Sequence, residues 1–139
     1  MSVDRRHVRP AMSAVPVLVF VLLASQSAWA QVAKETPLMT RALSDVPGRE
    51  ALIETVVLAP GQVVPPHRHH ADVFAYVLAG SIITRVESGE SQTLHAGEIF
   101  YESPTDLHLG SRNASTTDPA TLLVFFLKKI GAPSTVKAP

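Results

Sequence analysis

Short apolar segments rich in β-branched residues recur between residues 52 and 127, and each one ends at a turn sequence. Turns such as Ala59-Pro60-Gly61 and Ser88-Gly89-Glu90 separate them. Beyond the first 30 residues, no stretch long enough for a helix repeats its apolar residues at a period of about 3.6. Many short strands separated by turns favour an all-β chain, folded as an antiparallel sandwich or a small barrel. The apolar segments are residues 52–58, 73–78, 82–86, 93–94, 99–101, 107–109 and 122–127.

The first 30 residues have a different character. Three arginines precede an apolar run at residues 15–24, and Ala28-Trp29-Ala30 places small residues at the cleavage-determining positions. This pattern is typical of a secretory signal peptide, and its apolar run is shorter than the roughly 20 residues of a membrane span. An uncleaved N-terminal anchor is the alternative. We expect a periplasmic or secreted protein that makes no membrane contact after cleavage.

The remaining 109 residues suffice for one small domain. They carry nine Lys+Arg and 11 Asp+Glu, a net charge of about −2, which argues against a nucleic-acid partner. The chain has no cysteine, so it has no disulfide, thiolate ligand or cysteine nucleophile. We expect an extended arm or early edge strand at residues 31–48, the main domain at 49–130 and a loose tail at 131–139.

Three histidines form the candidate site. His67 and His69 are two residues apart on one predicted strand, and His108 lies on a later one. Because successive side chains of a strand point to opposite faces, His67 and His69 share a face while Arg68 and His70 share the other. Neutral imidazole is the commonest protein ligand for metals near pH 7. The apolar sequence around the histidines favours a metal site over a set of surface histidines.

These residues resemble the two signature motifs of the cupin family. The first motif is matched by Gly61, five residues, His67-Arg68-His69 and the segment up to Gly80. The second is matched by Gly97, six residues, Pro104 and then His108, with Asn113 close behind. The similarity covers about residues 50–128 and is closest to small single-domain bacterial cupins.

The resemblance implies a jelly roll, or double-stranded β-helix, with one divalent transition metal near its centre. Iron, manganese, nickel, copper and zinc are the usual metals of the family. His67, His69 and His108 match the three histidine ligands. The family's fourth ligand, a glutamate, falls on Val73, which cannot bind a metal. Cupins of this size usually pair, so the resemblance also implies a homodimer.

Three interpretations of the missing carboxylate remain open. The three histidines alone hold the metal, as in some cupin dioxygenases, or Asp72 turns inward at a bulge. The third interpretation is that Glu102, six residues before His108, supplies an oxygen from across the cavity. Three neutral nitrogen donors leave the site receptive to anionic substrates, and they suit iron, copper, nickel or zinc better than magnesium or calcium.

Three functions are consistent with this pattern. The first is a metalloenzyme of the oxygenase or lyase/isomerase class that acts on a small polar or anionic molecule, with Glu102 as catalytic acid or base. The second is a non-catalytic cupin that binds or senses a small ligand or a metal. The third is a metal-free structural jelly roll, which the presence of all three histidines disfavours.

The neighbouring polar and aromatic residues receive lesser roles. We expect His70 and His95 at the surface, and Tyr76 on the face opposite Val73. Because Phe100 and Tyr101 alternate along a strand, one of them should line the pocket.

Overall fold

The computed structural model describes residues 33–138. The predicted signal peptide at residues 1–30 lies outside the described residues. Among residues 33–138 there is no helix, and so none long and apolar enough to cross a membrane. The strands of this part of the chain are β1 (Lys34–Ala42), β2 (Arg49–Leu58), β3 (Val63–Val64), β4 (His67–Arg68), β5 (Ala71–Ala79), β6 (Ser81–Val86), β7 (Gln92–His95), β8 (Ile99–Glu102), β9 (Leu107–Asn113), β10 (Ala120–Lys129) and β11 (Val136–Lys137).

The strands form two antiparallel sheets. The first has the order β1-β2-β10-β5-β8, and the second has the order β11-β4-β9-β6-β7, with β3 also paired to β9. Strands distant in sequence lie side by side, as β2, β10 and β5 do, which is the connectivity of a jelly roll. The predicted all-β jelly roll is confirmed, and each predicted apolar segment lies within a strand.

The core lies between the inner faces of the two sheets. Along β5 and β10 every second residue is buried, because side chains of a strand alternate between its two faces. Leu58, Val73, Val77 and Ile82 are each exposed to 1% or less. On the same inner faces, Val73, Ala75, Leu122, Val124 and Phe126 line the cavity that holds the histidines.

Gly80 joins the two sheets. It separates β5 of the first sheet from β6 of the second, so it is a corner between sheets and not the turn of a hairpin. Its φ of +76° is one that glycine adopts without strain. A Cβ added here would lie 2.8 Å from the carbonyl oxygen of Pro119.

Both ends of the described chain are paired. β1 is the edge strand of the first sheet, along β2. The expected loose tail is wrong for residues 136–137, because β11 pairs with β4, where Lys137 lies opposite His67. A buried ion pair between Lys128 and Glu50 lies just before this segment. The Lys128 ammonium also donates to the carbonyl oxygen of Ala132 at 2.7 Å and so holds the start of this segment.

Candidate metal centre

The fold brings His67, His69 and His108 together. His67 lies on β4 directly opposite His108 on β9, and His69 follows two residues later. One ring nitrogen of each histidine lies within 4.8 Å of the others. The His67 Nε2 is 2.9 Å from the His69 Nε2 and 3.2 Å from the His108 Nδ1. His69 and His108 are buried, and His67 is half-buried at the cavity wall.

Backbone carbonyls fix the proton positions on two of these rings. The His67 Nδ1 donates to the carbonyl oxygen of Pro65 at 2.9 Å, and the His69 Nδ1 donates to that of Ser134 at 2.7 Å. A carbonyl oxygen only accepts hydrogen bonds, so the ring proton lies on Nδ1 in both residues. Each ring therefore turns the lone pair of its Nε2 toward the centre of the cluster.

Two hydroxyl groups orient the third ring. The His108 Nε2 lies 2.8 Å from the Thr84 Oγ1 and 3.1 Å from the Ser111 Oγ, and Ser111 donates to Thr84 at 2.9 Å. Both hydroxyls are buried, and their oxygens can accept a hydrogen bond from the Nε2–H group of His108. The Nδ1 lone pair of His108 then faces His67.

Burial keeps two of the rings neutral. It is the main reason why the pKa of His108 falls to about 3, and the neighbouring His67 and His69 lower it further. Burial, again with a contribution from His67, lowers the pKa of His69 to about 4. A neutral imidazole is the form that binds a metal, so at neutral pH these two rings are ready to bind one.

The donor set fits a divalent transition metal. Two lone pairs that face each other at 2.9 Å repel unless a cation lies between them. Nitrogen ligands lie about 2.1 Å from zinc, which places two ligands about 3 Å apart when their bonds to the ion are at right angles. Hydrogen bonds from the outer ring nitrogens to carbonyl or hydroxyl oxygens are the usual support of metal-binding histidines. Within residues 33–138, the three histidines form the one such group of ligand atoms.

Glu102 lies beside this cluster. Its side chain is buried on β8, and its Oε2 is 3.2 Å from the His108 Nδ1 and 3.9 Å from the His69 Nε2. With both rings neutral these contacts are not ion pairs. Burial chiefly, and the charge of Asp106, raise the pKa of Glu102 to about 7.

The histidines and Glu102 open into one cavity of about 390 Å³. This volume is within the range of small-molecule sites, and the walls are mainly apolar, as is usual for such sites. Phe100 lines the cavity, and Phe126 packs against His69 with ring centroids 5.2 Å apart. The apolar wall also includes Val56, Leu58, Val64, Val73, Ala75, Leu122 and Val124.

Residues 54–126, about half of the chain, match the family described as "Cupin domain". The chain belongs to the cupin family. A comparison with curated protein sequences gave no match.

Solved structures of other proteins resemble this cupin in fold. A protein from Thermus thermophilus is 29% identical, with a TM-score of 0.54 over 69% of this chain and 83% of its own. Oxalate oxidase in complex with the substrate analogue glycolate is 25% identical, with a TM-score of 0.58 over 77% of this chain and 55% of its own. DMSP lyase from Ruegeria pomeroyi has a TM-score of 0.61 over 88% of this chain and 59% of its own, and at 17% identity it shows the fold alone. This chain thus spans little more than half of either enzyme.

In this cupin the buried carboxylate is on β8, next to β5, which carries the position of the family's glutamate ligand. Val73, at the position of the family's glutamate, faces inward and is 1% exposed. Its direct partner across the β5–β8 pair is Glu102. Glu102 therefore reaches the histidines from the strand next to Val73, and not from across the cavity.

The other candidates lie outside the site. Asp72 faces outward and accepts a hydrogen bond from the Tyr101 hydroxyl at 2.7 Å, which excludes it as a ligand in this arrangement. His70 and His95 are exposed, as expected. Tyr76 is 39% exposed on the outer face, also as expected.

Sequence reasoning missed several residues of this cupin's site. Thr84, Ser111 and the carbonyl of Ser134 hold the outer ring nitrogens, and they come from strands and a tail whose pairing no local pattern reveals. Glu54, a second buried acid in the cavity wall, had a readable signal. It lies on the same face of its strand as Val56 and Leu58, where an isolated acid is unusual.

Proposed function

We propose that this cupin is a metal-dependent enzyme of the oxygenase or lyase/isomerase class that acts on a small polar or anionic molecule. His67, His69 and His108 hold one divalent metal, and Glu102 transfers a proton to or from the substrate. The observation that carries the proposal is the position of Glu102, which has its Oε2 3.2 Å from the His108 Nδ1 inside a cavity large enough for a small molecule.

The residues around the metal position define what each part contributes. A divalent metal bound there supplies a Lewis acid for an oxygen atom of the substrate. The three histidines add no negative charge, so an anionic substrate is attracted and not repelled. The apolar wall excludes water from the bound molecule and strengthens its electrostatic interactions with the site.

We assign Glu102 to proton transfer. Its Oε2 lies beside the histidine nitrogens, 3.2 Å from the His108 Nδ1 and 3.9 Å from the His69 Nε2. Glu102 contacts two of these rings from one side, where it can reach a substrate atom next to the metal position. Its environment supports this role, because a carboxyl with a pKa of about 7 can both take and give a proton at neutral pH.

The substrate class follows from the charge of the site and from one similar structure. The oxalate oxidase that resembles this chain was solved with glycolate, a small hydroxy acid. A small carboxylate or hydroxy acid would place its oxygens at the metal and its carbon chain against the apolar wall.

Metal analysis and two sets of variants test this function. We expect mass spectrometry of the purified protein to find about one transition-metal ion per chain, lost in H67A, H69A or H108A. The matched controls are H70A and H95A, which remove exposed histidines and should retain the metal. A panel of small hydroxy and carboxylic acids, followed by NMR and an oxygen electrode, reports turnover and separates oxygenase from lyase or isomerase activity.

Glu102→Gln separates an enzyme from a binding protein. We expect E102Q to retain metal and to lose turnover by a factor on the order of 10² to 10⁴. A wild-type protein without stoichiometric metal would refute the proposal. So would an E102Q variant with full turnover, or a wild type that binds the acids and never transforms them.

We also propose that the mature protein is periplasmic or secreted and forms a homodimer. The pattern of the first 30 residues, which is typical of a secretory signal peptide, supports the location. Outward-facing apolar side chains on β5 and β8 support the dimer, since paired subunits would cover them. These side chains are Phe74, Tyr76, Leu78, Ile99 and Tyr101.

A further inference from the structure

A second acid faces the cavity from β2. Glu54 lies on β2, with its side chain on the inner face beside Val56 and opposite Val124 of β10. It is only 4% exposed, and it lines the same cavity as Glu102. A carboxyl in an apolar wall loses hydration, so it normally has a protein partner.

Glu54 has no such partner. No residue within 33–138 donates a hydrogen bond to it or forms an ion pair with it, and its carboxylate oxygens remain accessible from the cavity. The buried Glu50 shows the usual arrangement, because it is paired with Lys128 and also accepts a hydrogen bond from the Gly131 amide. The one charge acting on Glu54 is that of Glu35, and together with burial, the larger effect, it raises the pKa of Glu54.

Glu54 and Glu102 lie on different strands of the same sheet. The sheet order places β2 three strands from β8, which carries Glu102. Adjacent strands are about 4.8 Å apart, so the backbones of β2 and β8 are separated by about 14 Å along the sheet. Apolar side chains of β10 and β5 fill the floor between them, among them Val124 and Ala75. A small molecule with one end at the histidines can therefore extend along an apolar floor toward Glu54.

We propose that Glu54 determines substrate specificity by accepting a hydrogen bond from a hydroxyl or ammonium group at the far end of the substrate. This inference rests on the proposed function for the near end, where an oxygen of the same molecule lies at His67, His69 and His108. The substrate class is thus a small molecule with a metal-binding oxygen at one end, a short apolar middle and a hydrogen-bond donor at the other.

The charged side chains at the cavity rim are less suited than Glu54 to bind the far end of the substrate. Glu35 and Lys137 also line the cavity, but both are exposed to solvent. Lys137 forms no ion pair with either acid. Exposed charges are screened by water and salt, whereas the buried Glu54 can accept a strong hydrogen bond. The exposed Glu90 provides the matched control, because it carries the same charge and does not line the cavity.

Binding of three simple acids tests the proposal. Isothermal titration calorimetry of the Zn²⁺-loaded protein compares hexanoate, ω-hydroxyhexanoate and ω-aminohexanoate, which differ only at the far end. We expect the wild type to bind a donor-bearing acid about 10-fold more tightly than hexanoate, since a hydrogen bond to a charged group contributes that much. In E54L the acids should bind with equal affinity to within about 2-fold, and E90Q should resemble the wild type.

The Glu54→Gln variant distinguishes the two kinds of donor. A glutamine oxygen still accepts from a hydroxyl but carries no charge for an ammonium. We expect E54Q to retain a preference for ω-hydroxyhexanoate if the natural donor is a hydroxyl, and to lose the preference for ω-aminohexanoate if it is an ammonium. A wild type that binds none of the three acids, or binds them equally, overturns the proposal. So does a preference that survives in E54L.

Two further measurements separate this inference from its alternatives. Metal-dependent binding without any effect of Glu54 would leave the proposed function in place and refute the role of Glu54. A Glu54-dependent preference that persists in the metal-free H67A variant would support the role of Glu54 and refute the proposed function of the metal site. We also expect E54L to raise the melting temperature of the metal-free protein by a few degrees, because it removes an unpaired buried acid. A lower melting temperature would instead assign Glu54 a structural role.

Discussion

Val73 and Glu102 lie directly opposite each other on the antiparallel strands β5 and β8, and both side chains face the cavity. Residues paired in this way have Cβ atoms about 5 Å apart. The protein thus carries an acid near the family's glutamate position, on the neighbouring strand.

Moving the carboxylate back to residue 73 should strengthen metal binding. In V73E/E102Q an anionic oxygen would be at the position of the family's fourth ligand, so we expect metal affinity about 10-fold above that of E102Q. Competition with a chromophoric chelator measures the metal affinity of each variant. The matched control is V73Q/E102Q, which has the same size and no charge. Equal affinities in the two double variants would refute the role of position 73.

The hydroxyl of Thr84 orients His108 for metal binding. The Thr84 Oγ1 lies 2.8 Å from the His108 Nε2, and valine has the same shape without an acceptor. We expect T84V to lower metal affinity about 10-fold, the lower end of the effect of such supporting contacts, while the protein stays folded. The exposed Thr93 on β7 provides the control, and T93V should bind metal normally. Unchanged affinity in T84V would mean that Ser111 alone holds the ring.

The stability of the metal-free protein should rise with pH between about 4.5 and 6.5. The pKa values of His69 and His108 fall from 6.5 to about 4 and about 3, so below pH 6.5 the unfolded chain gains protons that the folded protein does not bind. Glu102 acts oppositely, because its pKa rises from 4.5 to about 7 and the folded protein keeps its proton. The unfolded chain binds about one more proton overall, so the free energy of unfolding should rise by roughly 1 kcal/mol per pH unit.

The Glu102→Gln variant separates the effect of Glu102 on the pH dependence of stability from the opposite effect of His69 and His108. Because the variant lacks the proton held by the folded protein, its unfolding free energy should rise about twice as steeply with pH over the same range. Urea unfolding of both proteins at several pH values, with a chelator present, measures the slopes. A slope that E102Q leaves unchanged would show that Glu102 does not hold a proton in the folded state.

Much of the fold could be predicted because its signals are local. Alternation of apolar residues along β5 and β10 identifies strands, and the glycine and proline turns delimit them. The spacing of His67 and His69 determines that both rings face the same way. Glu54 could have been found by the same rule, since it interrupts an apolar strand face.

The remaining features depend on pairing between distant strands, which no local pattern specifies. Glu102 contacts the histidines because β8 pairs with β5 in a register that places Glu102 opposite Val73. Likewise, Ser134 reaches His69 because β11 pairs with β4. Gly80 is a corner between sheets for the same reason, because β6 pairs with β7 and β9 and not with β5.

The C-terminal segment 131–138 should contribute to metal affinity. It provides the Ser134 carbonyl that accepts from the His69 Nδ1 at 2.7 Å, and its strand lies beside His67. Truncation after Ala132 removes that acceptor, so we expect metal affinity to fall about 10-fold or more. Truncation after Lys137 keeps β11 and provides the control. Equal affinity in the two truncated proteins would contradict this role.

Gly110 permits the close approach of β3 to β9 beside the metal-binding histidines. Its φ is +109°, and an added Cβ would lie 2.3 Å from the carbonyl oxygen of Val64 on β3. Val64 pairs with Ser111, whose hydroxyl contacts His108. We therefore expect G110A to lower the free energy of unfolding by about 3 kcal/mol, through backbone strain together with the clash, and to weaken metal binding.

The effects of backbone strain and of the clash can be separated with Gly61→Ala. Gly61 has a φ of +66°, but an added Cβ would have nothing within 4 Å. We expect G61A to lower the free energy of unfolding by only about 1 kcal/mol, the cost of the left-handed conformation, and to leave metal affinity unchanged. Chemical unfolding and chelator competition on both variants provide the comparison. If the two substitutions destabilise equally, or if G110A binds metal as tightly as the wild type, the contact between Gly110 and Val64 does not position His108.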